Sequence, residues 1–306
     1  MGRPVPQVQN SARSAMIRVT AGGPCPGTAE GCRRPAVRLP VPFAAADDTD
    51  LHYEVRGRGA PLLLLMGLGG AGDLWGAEFL GHLARTFRLI VLDHRGTGLS
   101  GRGGGPYTIT RLAEDAACVL DAEGLLAAHV LGVSMGGMVA MELAATHPAR
   151  VHGLVLGCTT PGGSNAVPPR RSALEDLRRL GLLGISALLV TSEFQARRTG
   201  LLTRLAVKAM ARPPAPGVLA EQVAAVLAFD ISDRLHQIVA PTLVVTGDRD
   251  QLVPPQNARL LVRAIRGARG VIVKDTAHCF FWEAPERAAR AITEFLTSVT
   301  VVPQGC

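Results

Sequence analysis

The chain has 306 residues, 47% hydrophobic and 19% charged, with a formal net charge of +7. That length buries a large core with room for an insertion, the composition suits a soluble globular protein, and no apolar run approaches the ~20 residues of a membrane span. The charge does not point to nucleic acid: Lys208 and Lys274 are the only lysines, aromatics are 4%, and no aromatic-interleaved basic motif occurs.

In chain order, residues 1–36 mix Gly, Pro, Arg and Ser, with Glu30 the first acidic residue. They lack the apolar stretch of a secretory signal and read as a disordered arm or an over-extended start, with initiation near Met16. Strands follow at about 38–43 and 51–56, expected to pair as an antiparallel edge hairpin. Further strands are expected at about 61–66, 88–92, 128–133, 151–157, 241–246 and 270–274. Helical patterns fall at about 74–86, 109–124, 135–147, 256–266 and 283–298. This alternation predicts a mostly parallel sheet with helices on both faces. Between Gly157 and Pro241 the rhythm stops. Helices are expected there at Arg171 to Leu183, Ala187 to Thr199, Leu201 to Met210 and Val218 to Ala228. The expected division is an arm at 1–36, a core at 37–160 and 237–300, and a helical cap at 161–236.

Chemistry concentrates just past strand ends. Gly132-Val133-Ser134-Met135-Gly136 joins a strand to a helix as a nucleophile elbow, which presents Ser134 on a sharp, strained turn. A serine hydroxyl needs a general base in reach, and that base needs a carboxylate to fix its tautomer. His278 follows the run Val271-Ile272-Val273. Of eight histidines it alone lies past a strand and after the candidate acids. Those acids, Asp248 and Asp250, follow the strand Thr242 to Thr246, where open α/β sheets place their ligands. Asp248 sits nearer the turn, where it can hydrogen-bond backbone.

Acyl transfer also builds negative charge on a carbonyl oxygen, which two backbone N–H groups hold. One belongs to Met135, directly after the nucleophile. The other is expected from the loop Met66-Gly67-Leu68-Gly69-Gly70, at Leu68 or one residue later. Asp93 and Arg95, in the loop Asp93 to Ser100, are read as tying that loop down. Trp75, Met138 and Phe280 are expected to line an apolar acyl pocket with parts of the cap. Cys279 reads as a packed thiol. The cysteines form neither a disulfide framework nor a metal set, and reduced thiols favour the cytoplasm.

The segments Met66 to Gly70, Asp93 to Ser100, Gly132 to Gly137, Pro241 to Pro254 and His278 to Glu286 together resemble the α/β-hydrolase superfamily. More narrowly they resemble small carboxylesterases and enol-lactonases with a helical cap. Many relatives carry His-Gly where this chain has Met66-Gly67, but the donor there is backbone, so the change need not remove it. The resemblance implies an α/β-hydrolase fold with an eight-stranded, mostly parallel sheet. It implies a triad of Ser134, Asp250 and His278, Asp250 being favoured by family spacing, with Leu68 and Met135 as oxyanion donors. Relatives that dehalogenate or open epoxides carry aspartate at the elbow, and Ser134 argues against those reactions.

The activity expected is cleavage of a small or medium hydrophobic carboxylic ester through an acyl-enzyme, with no cofactor or metal. The motifs leave open enol-lactone, C–C or perhydrolase chemistry on the same triad, and a non-catalytic ligand-binding or cyclase role. The partner expected is a small molecule; oligomeric state is not legible.

Overall fold

The computed structural model describes residues 42–173, 175 and 188–300. Eight strands form one sheet: β1 (Phe43–Ala46), β2 (Thr49–Arg56), β3 (Ala60–Leu65), β4 (Phe87–Leu92), β5 (Ala128–Val133), β6 (Val151–Gly157), β7 (Thr242–Gly247) and β8 (Arg269–Val273). Their spatial order is β1-β2-β4-β3-β5-β6-β7-β8. β1 with β2 and β2 with β4 run antiparallel, and every other neighbouring pair is parallel. The helices described are α1 (Ala77–Leu83), α2 (Ile109–Ala122), α3 (Met135–Thr146), α4 (Ser192–Arg197), α5 (Thr199–Ala211), α6 (Val218–Ala228), α7 (Gln256–Ala264), α8 (Phe280–Glu283) and α9 (Pro285–Ser298).

The leucine run of β3 shows why the strands read as continuous apolar segments. Side chains alternate across a strand, and a parallel sheet is covered on both faces. Leu62 and Leu64 pack into one cluster with Phe79 and Leu83 of α1 and Ile292 of α9. Leu63 and Leu65 enter the other with Leu112 of α2 and Val139 and Leu143 of α3. Both helical layers are thus fixed by single-residue alternation in the central strands.

Two expectations need correction. The first strand described is Phe43–Ala46, beginning where the expected 38–43 ended, and residues 38–41 lie outside the described residues. Its pairing, Phe43 with His52 through Ala46 with Thr49, brings the hairpin turn to Asp47 and Asp48. The helix expected over Ala187 to Thr199 is interrupted. α4 starts at Ser192, where the Thr191 side chain accepts from the Phe194 N–H at 3.3 Å. Such local capping sets a helix start more sharply than apolar spacing does. The arm at 1–36 and most of the helix expected at Arg171 to Leu183 lie outside the described residues.

The insertion between β6 and β7 leaves and returns at one point. Gly162 bridges Asp230, Ile231 N donates to Pro161 O at 3.0 Å, and Gly163 N donates to Phe229 O at 3.1 Å.

β5 also carries a pH-sensitive histidine. His129 is 2% exposed, its Nδ1 has no hydrogen-bond partner among the described residues, and the rings of Phe87 and His152 lie about it. Burial, then the neighbouring His152, lowers its pKa to about 4. A histidine held neutral in the fold gives full stability above its unfolded pKa near 6.5, and that stability declines as pH falls toward 4. Denaturant titrations should lose about 3 kcal/mol between those pH values through this group. His129→Leu should flatten that stretch of the curve; an unchanged slope would refute the assignment.

Candidate active site

β5 runs straight into Ser134, which holds φ 55° and ψ −123° before α3 begins. A non-glycine residue in that region carries backbone strain of about 1–3 kcal/mol. The surroundings over-determine it. Ser134 N donates to Gly157 O at 2.9 Å, and Thr159 Oγ1 donates to Ser134 O at 2.7 Å. The flanking glycines are steric requirements. A Cβ on Gly132 would lie 2.1 Å from Gly136 O, and one on Gly136 would lie 2.1 Å from Leu65 O. Backbone meets backbone at both points, so neither clash can be relieved by a side-chain rotation.

Asp250 lies in the loop after β7 and is fully buried. Its Oδ1 accepts from the N–H groups of Leu252 and Val253, both at 2.9 Å. Its Oδ2 faces His278 Nδ1 at 2.8 Å. A carboxylate can only accept, so Nδ1 carries a proton, and in the neutral ring the lone pair is then on Nε2. Asp248 is occupied elsewhere: Oδ1 accepts from Thr276 N at 3.3 Å, and Oδ2 lies 3.8 Å from Lys274 Nζ. The geometry therefore brings Asp250, and not Asp248, to the imidazole.

The histidine loop has its own anchor. Glu283 Oε2 accepts from Ala277 N at 2.5 Å, while Oε1 accepts from Thr191 N at 2.9 Å and Thr191 Oγ1 at 2.6 Å. One carboxylate thus ties the residue before His278 to the insertion. Glu283 lies inside the motif His278 to Glu286, but its role was not legible there, because its partner Thr191 is 92 positions away.

Ser134 and His278 line one cavity of about 450 Å³, together with Leu68, Met135 and Met138. Met135 opens α3, so its N–H belongs to the first turn, where backbone donors have no intrahelical partner and the helix dipole favours negative charge. Leu68 lies in the turn after β3. Met138 is among these lining residues, and Trp75 and Phe280 are not. Both are fully buried: Trp75 stacks on Phe79 at 5.8 Å, and Phe280 packs edge-on to Phe281 at 5.6 Å. Leu74, Phe281 and Trp282 take the wall instead. Neighbours in a helical turn point about 100° apart, so a one-residue offset exchanges core for cavity.

The rest of the wall is mainly apolar, and its polar groups are committed. Thr159 Oγ1 is spent on Ser134 O. Asn257 Oδ1 accepts from Val167 N at 2.8 Å and Thr160 Oγ1 at 3.2 Å, and its Nδ2 donates to Val167 O at 2.8 Å. Cys158 and Cys279 also face this space. Burial first, then the Asp250 charge, pushes both thiols well up. A thiol shifted in this direction is a poorer nucleophile, since the thiolate is the reactive form.

The loop Asp93 to Ser100 is tied to the segment that follows β3. Asp93 faces His52 Nδ1 at 2.6 Å and accepts from Gly72 N at 2.6 Å and Leu99 N at 3.0 Å. Burial raises its pKa, but these partners outweigh it and hold the carboxyl below its ordinary range. Arg95 forks onto Asp115 at 2.6 and 2.5 Å with 1% exposure. His94 Nε2 lies 3.1 Å from Met66 O, which can only accept, so that nitrogen bears the proton. Burial lowers the His94 pKa and keeps it neutral. The structural role read for Asp93 and Arg95 thus has its contacts, and His94 adds a direct hold on the strand end that precedes Leu68.

Comparisons with known proteins agree with this architecture. A family described as alpha/beta hydrolase fold matches residues 60–285. A protein of Azorhizobium caulinodans named "Putative carbamate hydrolase RutD" is 35% identical over 254 residues, covering 80% of this chain and 94% of its own. The enol-lactonase from Burkholderia xenovorans LB400 is similar in structure, with TM-score 0.71, 27% identity, and coverage of 84% of this chain and 100% of that one. Est816, titled an N-acyl homoserine lactone degrading enzyme, gives TM-score 0.73 and 29% identity over 83% of this chain and 100% of its own. With an elbow, a histidine–aspartate pair and a sheet of this order already in place, the match over residues 60–285 makes the chain a member of the alpha/beta hydrolase family, in its esterase and lactonase branch.

Proposed function

We propose that this hydrolase cleaves carboxylic esters of small or medium apolar acyl groups through a covalent acyl-enzyme. The observation that carries the reading is the cavity itself: Ser134 and the Asp250-paired His278 face about 450 Å³ of mainly apolar space. Ser134 Oγ attacks the ester carbonyl while His278 Nε2 takes its proton. The N–H groups of Leu68 and Met135 hold the oxyanion. Collapse breaks the C–O bond, and His278 returns the proton to the leaving alkoxide. His278 then deprotonates a water that attacks the acyl-enzyme, which regenerates Ser134 and releases the acid. Asp250 keeps the imidazole in one tautomer and stabilises the imidazolium.

Residues 161–236 serve as the cap over a core of 37–160 and 237–300. The committed state of Thr159, Thr160 and Asn257 favours an apolar acyl group over a small polar one such as a carbamate, because a polar substrate would leave its own donors unpaired. A fluorophosphonate probe should label the protein at Ser134. A panel of p-nitrophenyl esters should show kcat/KM rising from acetyl to medium chains, since each buried methylene contributes about 0.8 kcal/mol. Absence of labelling at Ser134, or a preference for acetyl over every longer chain, would refute this reading. Lactones in the same panel separate ring esters from open ones.

A further inference from the structure

Gln222 is fully buried on α6, yet half of its amide is unused. Its Oε1 accepts from Gly69 N at 2.7 Å, while Nε2 has no hydrogen-bond partner among the described residues. The N–H of Gly69 fixes which end of the amide faces it, so the orphan nitrogen is not a matter of flipping the group. An unpaired buried donor is destabilising, because it has given up its hydrogen bonds to water without replacement. A leucine or methionine would fill the space without that penalty, so packing alone does not account for a glutamine here.

What Gln222 holds is the turn that carries Leu68. Gly70 N donates to Gly67 O at 3.1 Å, closing a four-residue turn with Leu68 and Gly69 at its centre. Gly69 has φ +68°, and Leu68 is not among the residues with positive φ. That combination is a type II turn, which needs glycine at its third position. Types I and II differ mainly by a flip of the central peptide, here Leu68–Gly69. The Gly69 N–H belongs to that peptide, so an acceptor on it locks the turn in one state. The contact spans 153 positions and joins the insertion to the core. α6 is itself pinned to a second core loop: Ala215 N, just before it, donates to Gly96 O at 2.9 Å, and Glu221 pairs with Arg102 at 2.5 Å.

Resting on the ester-hydrolase reading above, we propose that Gln222 is a positioning residue for the oxyanion hole. By holding the Gly69 N–H, it fixes the turn that presents the Leu68 N–H to the developing oxyanion. The oxyanion hole is then completed only with α6 seated on the core.

The test is Gln222→Met, which keeps the length of the side chain and removes the acceptor. Complete loss of one oxyanion donor lowers kcat about 10²–10³-fold, and a loosened donor should lower it about tenfold or more, with KM within about twofold. The melting temperature should hold, because the orphan Nε2 disappears along with the lost hydrogen bond. In the wild type, the Gly69 amide should be protected in hydrogen exchange, and Gln222→Met should expose it. A variant with full kcat on a wild type that hydrolyses esters overturns this proposal alone, as does a freely exchanging Gly69 amide in the wild type. A loss of kcat that only parallels a fall in melting temperature also overturns it, since that is what a packing role would give. A wild type that neither turns over esters nor reacts with fluorophosphonate removes the reading beneath it.

Discussion

Ser134→Ala should lower ester turnover by about 10⁵–10⁶-fold, with the melting temperature nearly unchanged. The two halves of that expectation have separate causes. The hydroxyl is the only atom lost, and without it no acyl-enzyme forms; what remains is the weak catalysis of bound water beside the oxyanion donors. Alanine keeps a Cβ, so the backbone at φ 55° stays as strained as before. Ser134→Gly separates the effects. It should be as inactive as alanine but more stable by about 1–3 kcal/mol, since glycine occupies positive φ without penalty. Burst kinetics and thermal melts on both variants check the pair. Near-native turnover in Ser134→Ala would rule out the acyl-enzyme, and equal stability of the two variants would rule out stored strain at the elbow.

The second large effect is expected at Asp250→Asn, about 10⁴-fold in kcat. Asp250 Oδ1 accepts two backbone N–H groups, from Leu252 and Val253. An asparagine keeps those bonds by placing its oxygen there. Its NH₂ then faces His278 Nδ1, which must become the acceptor. The imidazole proton moves to Nε2, the wrong nitrogen for receiving the Ser134 proton. The loss should therefore appear in kcat with little change in KM, and it should ease at high pH as hydroxide takes over the role of base. Asp248→Asn, whose carboxylate bonds Thr276 N instead, should leave kcat within about threefold. If the two variants lost activity equally, the pairing at 2.8 Å would not be the catalytic one.

The candidate site was legible wherever chemistry follows a strand end. Ser134, Asp250 and His278 each lie just past a predicted strand, and the apolar runs that mark those strands are unambiguous because the sheet is covered on both faces. Leu68 and Met135, read as donors from their positions, both line the cavity that Ser134 and His278 face. Trp75 and Phe280 did not, because the sequence marks an aromatic cluster without saying which neighbour points inward. Gln222, Glu283 and the His94 contact to Met66 were illegible for a different reason. Each depends on a hydrogen bond to a partner 28 to 153 positions away, and no local periodicity records such a bond. The strand through Ala44, Ala45 and Ala46 was missed because alanine has weak strand preference, and only pairing with β2 selects it.

The bridge between Gly162 and Asp230 has a consequence for how such proteins diversify. Because the excursion between β6 and β7 begins and ends at adjacent points, its span can lengthen, shorten or be exchanged while the parallel strands keep their alignment. The wall that the insertion contributes to the cavity and the register of the sheet thereby lie on separately mutable stretches of chain. The Gln222–Gly69 and Thr191–Glu283 links cross that division: on the proposal above, an exchanged insertion would have to supply its own acceptor for the Gly69 amide to keep the turn that carries Leu68.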